Sequence, residues 1–228
     1  MKLLTPRRRL APATEMSDRD QRLIWRITAL LLDYPTTQTF AIVDELRSAA
    51  EQLPISVRTT VLDFLGYFQA ADLMELSATY VETFDMRRRS SLHLTYYAYG
   101  DTRKRGMALL RFKHAYRQAN VGIGDNDIQS GELPDYLPMV LEFAATVDQV
   151  QGERLLAEHV PVLELLRLSL EDSGSCYGSL LSAILTTLPP ISTADRRRIA
   201  ELAAQGPPEE DVGLEPFSMD PLMNGARR

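Results

Sequence analysis

The imidazole and thiol side chains of this 228-residue sequence, the commonest nucleophile partners and soft metal ligands, are four: His93, His114, His159 and Cys176. Nucleophilic catalysis needs a thiolate or hydroxyl activated by a neighbouring base. Nothing in the sequence around Cys176 or His159 marks a nucleophile elbow or an oxyanion hole. None of the three histidines has a carboxylate or thiol partner at metal-ligand spacing. The stretch "DNDIQSGELPDY", from Asp125 to Tyr136, carries the spaced acids of a calcium loop at Asp125 and Asp127. Ser130, however, stands where that loop needs glycine for its turn, and Tyr136 where it needs a bidentate glutamate. Gly122 and Gly124 lack the third glycine and the preceding strand of a dinucleotide loop. The sequence therefore predicts no enzyme, no catalytic residues and no bound metal.

The other chemistry-bearing stretch is basic and aromatic. Between Arg87 and Arg117 stand Arg87, Arg88, Arg89, Arg103, Lys104, Arg105, Arg111, Lys113 and Arg117 against the single acid Asp101, with Tyr96, Tyr97 and Tyr99 among them. Such a mixture suits a nucleic-acid surface. The whole chain carries a formal charge of −6, however, so the remainder is strongly acidic and repels a polyanion from most directions. Two readings remain on spacing alone: a regulator that binds nucleic acid through the Arg87–Arg117 surface, and a solvated face whose arginines pair with acids of the same chain.

The elements that must position these residues are helical almost throughout. Leu23, Ile27, Leu30, Leu31 and Tyr34 recur at three- and four-residue spacing until Pro35. A second helix starts at Phe40, Val43 and Leu46 and ends near Pro54; a third runs through Val57, Val61, Leu62, Leu65 and Phe68. Asp72 reads as the N-cap of a fourth, with Glu75 three residues on and a stripe of Leu73, Leu76, Tyr80 and Phe84. Asp101 or Thr102 caps another, with Ala108, Leu109, Phe112 and Tyr116 facing inward. After a loop of glycines and acids comes a helix through Leu137, Val140, Leu141 and Ala144, with Pro138 in its first turn. Helices over about 153–171, kinked or split at Pro161, over 177–188 and over 193–204 complete the pattern. Strand-like alternation is confined to Leu92–Tyr97, too little for a sheet.

The sequence thus predicts one all-α domain, a helical bundle over residues 19–204. Residues 1–18 and the acidic, proline-containing residues 205–228 read as flexible tails. No apolar run approaches the roughly 18 residues of a membrane span. The arginines near the N-terminus are followed by Pro12, Glu15, Asp18 and Asp20 where an export signal needs an apolar stretch. With the lone Cys176, these features predict a cytoplasmic protein without stable membrane insertion.

Two blocks resemble a known family. The first is "YVETFDMRRRSSLHLTYYAYGDTRKRGMALLRF". It is similar to the central signature of the respiratory nitrate reductase delta subunits, the molybdenum-cofactor assembly chaperones within the wider group of redox-enzyme maturation chaperones. Its matching elements are Phe84-Asp85, the basic link Arg87–Arg89, the run Ser91–Tyr97, and Gly100-Asp101-Thr102-Arg103-Lys104-Arg105-Gly106. The second block is "ELPDYLPMVLEFAA". Its Leu133-Pro134-Asp135-Tyr136 resembles the family's Leu-Pro-Asp-His element, with Tyr136 standing where histidine is common, as Tyr97 and Tyr99 do in the first block.

The resemblance implies a single-domain maturation-chaperone fold. It also implies a role in nitrate reductase assembly: binding the N-terminal segment of the apo catalytic (alpha) subunit, assisting molybdenum cofactor insertion, and delaying membrane docking. No cofactor is then held stably, because molybdenum guanine-dinucleotide is delivered to the client. Molybdenum-cofactor biosynthesis proteins are further implied partners, and nucleic acid is not one. The implied client site takes Asp125, Asp127, Glu132 and Asp135 as rim charges and Tyr136, Tyr97 and Tyr99 as groove walls. On the residues alone, Asp135 serves equally as the N-cap of the helix beginning at Tyr136, and Tyr97 and Tyr99 serve equally as core.

Overall fold

The computed structural model describes residues 16–100, 102–121 and 133–206. Among them are twelve α-helices and no strand. The expected tails, 1–18 and 205–228, lie almost wholly outside the described residues, as do Asp101, Asp125, Asp127 and Glu132.

The helices start where local chemistry satisfies their first N–H groups. Ser17 accepts from Asp20 N at 3.1 Å and opens α1 (Asp18–Leu32). Thr36 accepts from Thr39 N and opens α2 (Thr37–Ala41). The second expected helix is thus two, because the chain breaks at Ile42 before α3 (Val43–Ala50). Pro54 precedes α4 (Ile55–Ala70). Asp72 accepts from Glu75 N at 2.8 Å, as its spacing predicts, and opens α5 (Leu73–Tyr80). That helix loosens into a π-helical turn, Val81–Asp85, followed by a 3-10 turn at Arg88–Ser90 and the one-turn α6 (Tyr96–Tyr99). Then come α7 (Arg103–Gln118), α8 (Leu137–Thr146) and α9 (Gln149–Glu158). Pro161, which has no N–H to give, sits in the first turn of α10 (Val160–Asp172) and divides the expected 153–171 helix there. The last two are α11 (Tyr177–Leu185) and α12 (Thr193–Gln205), the latter opened by a Ser192–Asp195 capping box.

One helix organises the packing. The buried side of α1, which includes Ile24, Trp25, Ile27, Leu31 and Leu32, lies most extensively against α8 and also meets α11. Polar contacts fix its register. Trp25 Nε1 donates to Thr187 Oγ1 at 2.8 Å, Arg22 Nε donates to the Ala145 carbonyl at 2.7 Å, and Arg26 pairs with Glu142. The other broad contacts are α10 on α11, α8 on α9 and α11 on α4. Gly152 of α9 faces Ala144 of α8 so closely that an added Cβ would lie 2.3 Å from the alanine Cβ. An aromatic cluster of Phe64, Tyr80, Phe84 and Tyr177 closes one end of the core, with centroids 4.8–5.1 Å apart for Tyr80–Phe84, Phe84–Tyr177 and Phe64–Tyr177.

Candidate functional site

The two sequence blocks meet in space. Leu94 N donates to the Asp135 carbonyl at 3.0 Å and Leu137 N to the Leu92 carbonyl at 2.9 Å, making a single antiparallel bridge between His93 and Tyr136. The strand-like alternation at Leu92–Tyr97 therefore supplies one bridge and then coils into α6. The bridge draws the Asp135 carboxylate inside, where it is 0% exposed.

This buried charge is compensated on both oxygens. Oδ2 accepts from Thr95 N at 3.0 Å and from Thr95 Oγ1 at 2.5 Å; Oδ1 faces His93 Nδ1 at 3.3 Å. Arg105 Nη2 lies 3.8 Å from Oδ2, while Arg105 Nε donates to Thr95 Oγ1 at 3.3 Å. The Arg105 guanidinium also sits 5.4 Å from the Tyr96 ring centre. Burial by itself raises the Asp135 pKa, but hydrogen bonds from His93 and Thr95 outweigh it and hold the carboxyl below its ordinary value. Asp135 is therefore ionised and neutralised internally.

Two expectations change here. Asp135 is not a rim charge, since its carboxylate has no solvent face. Nor is it the N-cap of α8: Tyr136 occupies that position, and the Asp135 side chain is spent on Thr95 and His93. Arg105, read from the sequence as part of a solvated face, instead turns inward beside Asp135 and is 8% exposed. Gly100 closes α6 at φ 54°, ψ −160°, a conformation that a side chain strongly disfavours. Pro134 is buried and its carbonyl accepts from Tyr116 Oη at 2.9 Å. Phe84 joins the aromatic cluster, whereas Asp85, Arg103, Gly106 and Leu133 are exposed.

Tyr136 takes the opposite direction from its neighbour. Its hydroxyl reaches Asp33 Oδ1 at 3.1 Å and Tyr80 Oη at 2.9 Å. Each phenol has one proton: Tyr136 donates to Asp33, and the single Tyr80 proton lies between the Tyr136 oxygen and the Leu32 carbonyl, which is 3.2 Å from Tyr80 Oη. Burial, with Tyr80 and Asp33 close by, pushes the Tyr136 pKa well above the ordinary phenol range. This side chain therefore offers a neutral hydroxyl.

Tyr136 lines a cleft of about 290 Å³ between α1 and α8. Leu30, Pro138 and Met139 give it an apolar floor, and Asp33 and Glu142 bring carboxylates to its edge. On α1 the lining residues Arg26, Ala29, Leu30 and Asp33 fall at i, i+3, i+4 and i+7. That spacing is visible in the sequence, but it borders the core stripe and reads as part of it.

The three tyrosines expected in one groove are not together. Tyr97 packs against Val162, Leu165 and Leu202 and lines a cleft with Arg87–Arg89. Tyr99 lines a third cleft with Met107, Phe112 and His159. The basic stretch is likewise divided. Arg87 precedes the 3-10 turn that holds Arg88 and Arg89, Arg105 is internal, and Arg111 pairs with Glu158.

Cys176 and His159 do not form a reactive pair. Burial pushes the Cys176 thiol pKa up, which disfavours the thiolate. His159 Nδ1 donates to the Leu155 carbonyl at 2.7 Å, and burial depresses its pKa. Among the described residues, no group of three or more His, Cys, Asp or Glu is placed to hold a metal, and no helix is long and apolar enough to cross a membrane.

The family model of the nitrate reductase delta subunit matches residues 50–179, which include the Asp135 junction and the α8 side of the cleft. The chain belongs to that family. A nitrate reductase-like protein NarX of Mycobacterium tuberculosis is 36% identical over 170 residues, 72% of this chain and 24% of the relative. The chain thus spans about a quarter of the mycobacterial protein's length. A probable nitrate reductase molybdenum cofactor assembly chaperone NarJ of Bacillus subtilis is 28% identical over 174 residues, covering 76% of this chain and 92% of the relative. The nitrate reductase molybdenum cofactor assembly chaperone NarJ of Escherichia coli K12 is 29% identical over 188 residues, covering 80% and 78%.

Proposed function

We propose that this chain is a system-specific cytoplasmic chaperone of respiratory nitrate reductase, not an enzyme. It binds the apo catalytic (alpha) subunit through that subunit's N-terminal segment, keeps it open for insertion of the molybdenum guanine-dinucleotide cofactor, and delays its membrane docking. The cofactor passes to the client and is not held stably here. Membership of the delta-subunit family, together with relatives named as molybdenum cofactor assembly chaperones, supports this reading. The working unit is the helical domain over residues 19–204.

The observation that carries the binding mode is the cleft between α1 and α8. It combines an apolar lining of Leu30, Pro138 and Met139 with the Asp33 carboxylate, the Arg26–Glu142 ion pair and the neutral Tyr136 hydroxyl. An amphipathic peptide helix with basic residues beside its apolar face suits such a groove. Asp135 acts beneath it by fixing the backbone that presents Tyr136.

The test is made in cells lacking this chain. The catalytic subunit should accumulate with little molybdenum, and reintroducing the wild-type chain should restore the metal while Leu30→Glu/Met139→Glu should not. Full molybdenum content without the chain would remove the chaperone role. Full restoration by the double variant would move the client away from this cleft.

A further inference from the structure

The cleft lined by Tyr97 is unlike the one assigned to the client. It occupies about 620 Å³ between the Arg88–Ser90 turn, α10 and α12, and Leu165, Leu168 and Tyr97 give it an apolar side. Arg87, Arg88 and Arg89 line it and are all exposed, against the single carboxylate of Asp172. Arg87 meets Glu82 at 3.1 Å, but the two side chains are 43% and 73% exposed, and such a surface pair is weak and exchanges readily. The cleft therefore suits a segment that carries several carboxylates beside apolar side chains.

The chain itself contains such a segment, attached at the cleft wall. Ala203 of α12 lines the cleft, and three residues later Gly206, at φ 70°, turns the backbone off the helix. Pro207-Pro208 follows, then the acids Glu209, Glu210 and Asp211, then Val212, Leu214 and Phe217. A chain advances at most about 3.6 Å per residue, so the reach of the three acids from Gly206 is at most roughly 11–18 Å. The order of the segment, acids first and apolar residues after, matches a cleft that offers both arginines and leucines. Among residues 207–226 there is no lysine or arginine to oppose this attraction.

We infer that residues 209–217 dock on the Arg87–Arg89/Tyr97 cleft of their own chain, with Glu209, Glu210 and Asp211 against the arginines and Leu214 and Phe217 against Leu165 and Leu168. This intramolecular cover also masks the most exposed part of the basic stretch from polyanions. It lies apart from the cleft between α1 and α8 and does not depend on the client reading.

Hydrogen exchange of the full chain, read by mass spectrometry at low salt, tests the inference. Amides within 209–217 should exchange about tenfold or more slower than a synthetic peptide of the same residues. Glu209→Gln/Glu210→Gln/Asp211→Gln, which alters nothing in the helical core, should abolish most of that protection, as should Arg87→Glu/Arg89→Glu. Combining the arginine reversal with Glu209→Arg/Glu210→Arg/Asp211→Arg should restore it. Free-peptide exchange rates in the wild-type chain would overturn the proposal and leave the cleft to an external acidic partner. Protection that survives both neutralisation and arginine reversal would overturn it too, because the segment would then be held elsewhere.

Discussion

Asp135 and Tyr136 are adjacent in the chain and opposite in physical situation. The Asp135 side chain enters a buried junction in which Thr95, His93 and Arg105 surround it. The Tyr136 side chain reaches toward α1, borders a solvent-facing cleft and touches Asp33. One short motif thus encodes an internal staple and a surface. The staple joins segments forty residues apart, and the surface depends on the staple for its backbone position. Under the proposed binding mode, only Tyr136 meets the client directly, and Asp135 acts through the backbone that it fixes.

Breaking the staple should give the largest effect. Asp135→Ala leaves Arg105 buried beside an empty space and strips Thr95 N of its acceptor, so we expect a loss of about 3–5 kcal/mol of stability, read from the urea midpoint. Asp135→Asn keeps the shape and part of the hydrogen bonding and should cost less, about 1.5–3 kcal/mol. The same junction fixes an acid limb. Because the folded carboxyl has a pKa below the unfolded value, its contribution is complete above about pH 4 and fades as pH falls through the lower, folded value. Wild-type stability should therefore drop more steeply below pH 4 than that of Asp135→Asn. Parallel pH profiles would take the charge out of the account.

Gly100→Ala probes the junction's edge without touching its charges. At φ 54° and ψ −160° an alanine is strained, and about 1–3 kcal/mol should be lost in chemical denaturation. A loss below the error of the midpoint would mean that the turn relaxes freely. On the cleft side the effects should be smaller. Tyr136→Phe removes one hydroxyl from the Tyr80–Tyr136–Asp33 chain and should cost about 0.5–1.5 kcal/mol of stability. A cost approaching that of Asp135→Ala would erase the contrast between the two neighbours.

Much of the helical framework is legible in the sequence because its signals are local. Asp72 with Glu75 marks the start of α5, Pro161 marks the break between α9 and α10, and apolar spacing finds α1 and its buried Ile27 and Leu31, though it misses Ile24, Trp25 and Leu32 and includes the exposed Tyr34. The junction is not legible in that way. Asp135 precedes a helix, so local rules read it as a cap, whereas its partner Thr95 is forty residues earlier. Arg105 stands in a run of exposed basic residues, and arginine is rarely buried unless paired. Its burial depends on a carboxylate thirty residues later. Resemblance identified the right blocks but grouped Tyr97, Tyr99 and Tyr136 by type, and the fold distributes them over three clefts.

The central claim is that the client segment lies between α1 and α8 and not on the Asp135 carboxylate. Calorimetric titration of a synthetic peptide of the catalytic subunit's N-terminal segment addresses it, using wild-type, Met139→Glu and Asp135→Asn proteins that are each folded by circular dichroism. The prediction is that Met139→Glu weakens binding about tenfold or more, equivalent to roughly 1.4 kcal/mol, while folded Asp135→Asn binds within about threefold of wild type. Unchanged affinity for Met139→Glu together with lost affinity for Asp135→Asn would contradict the account.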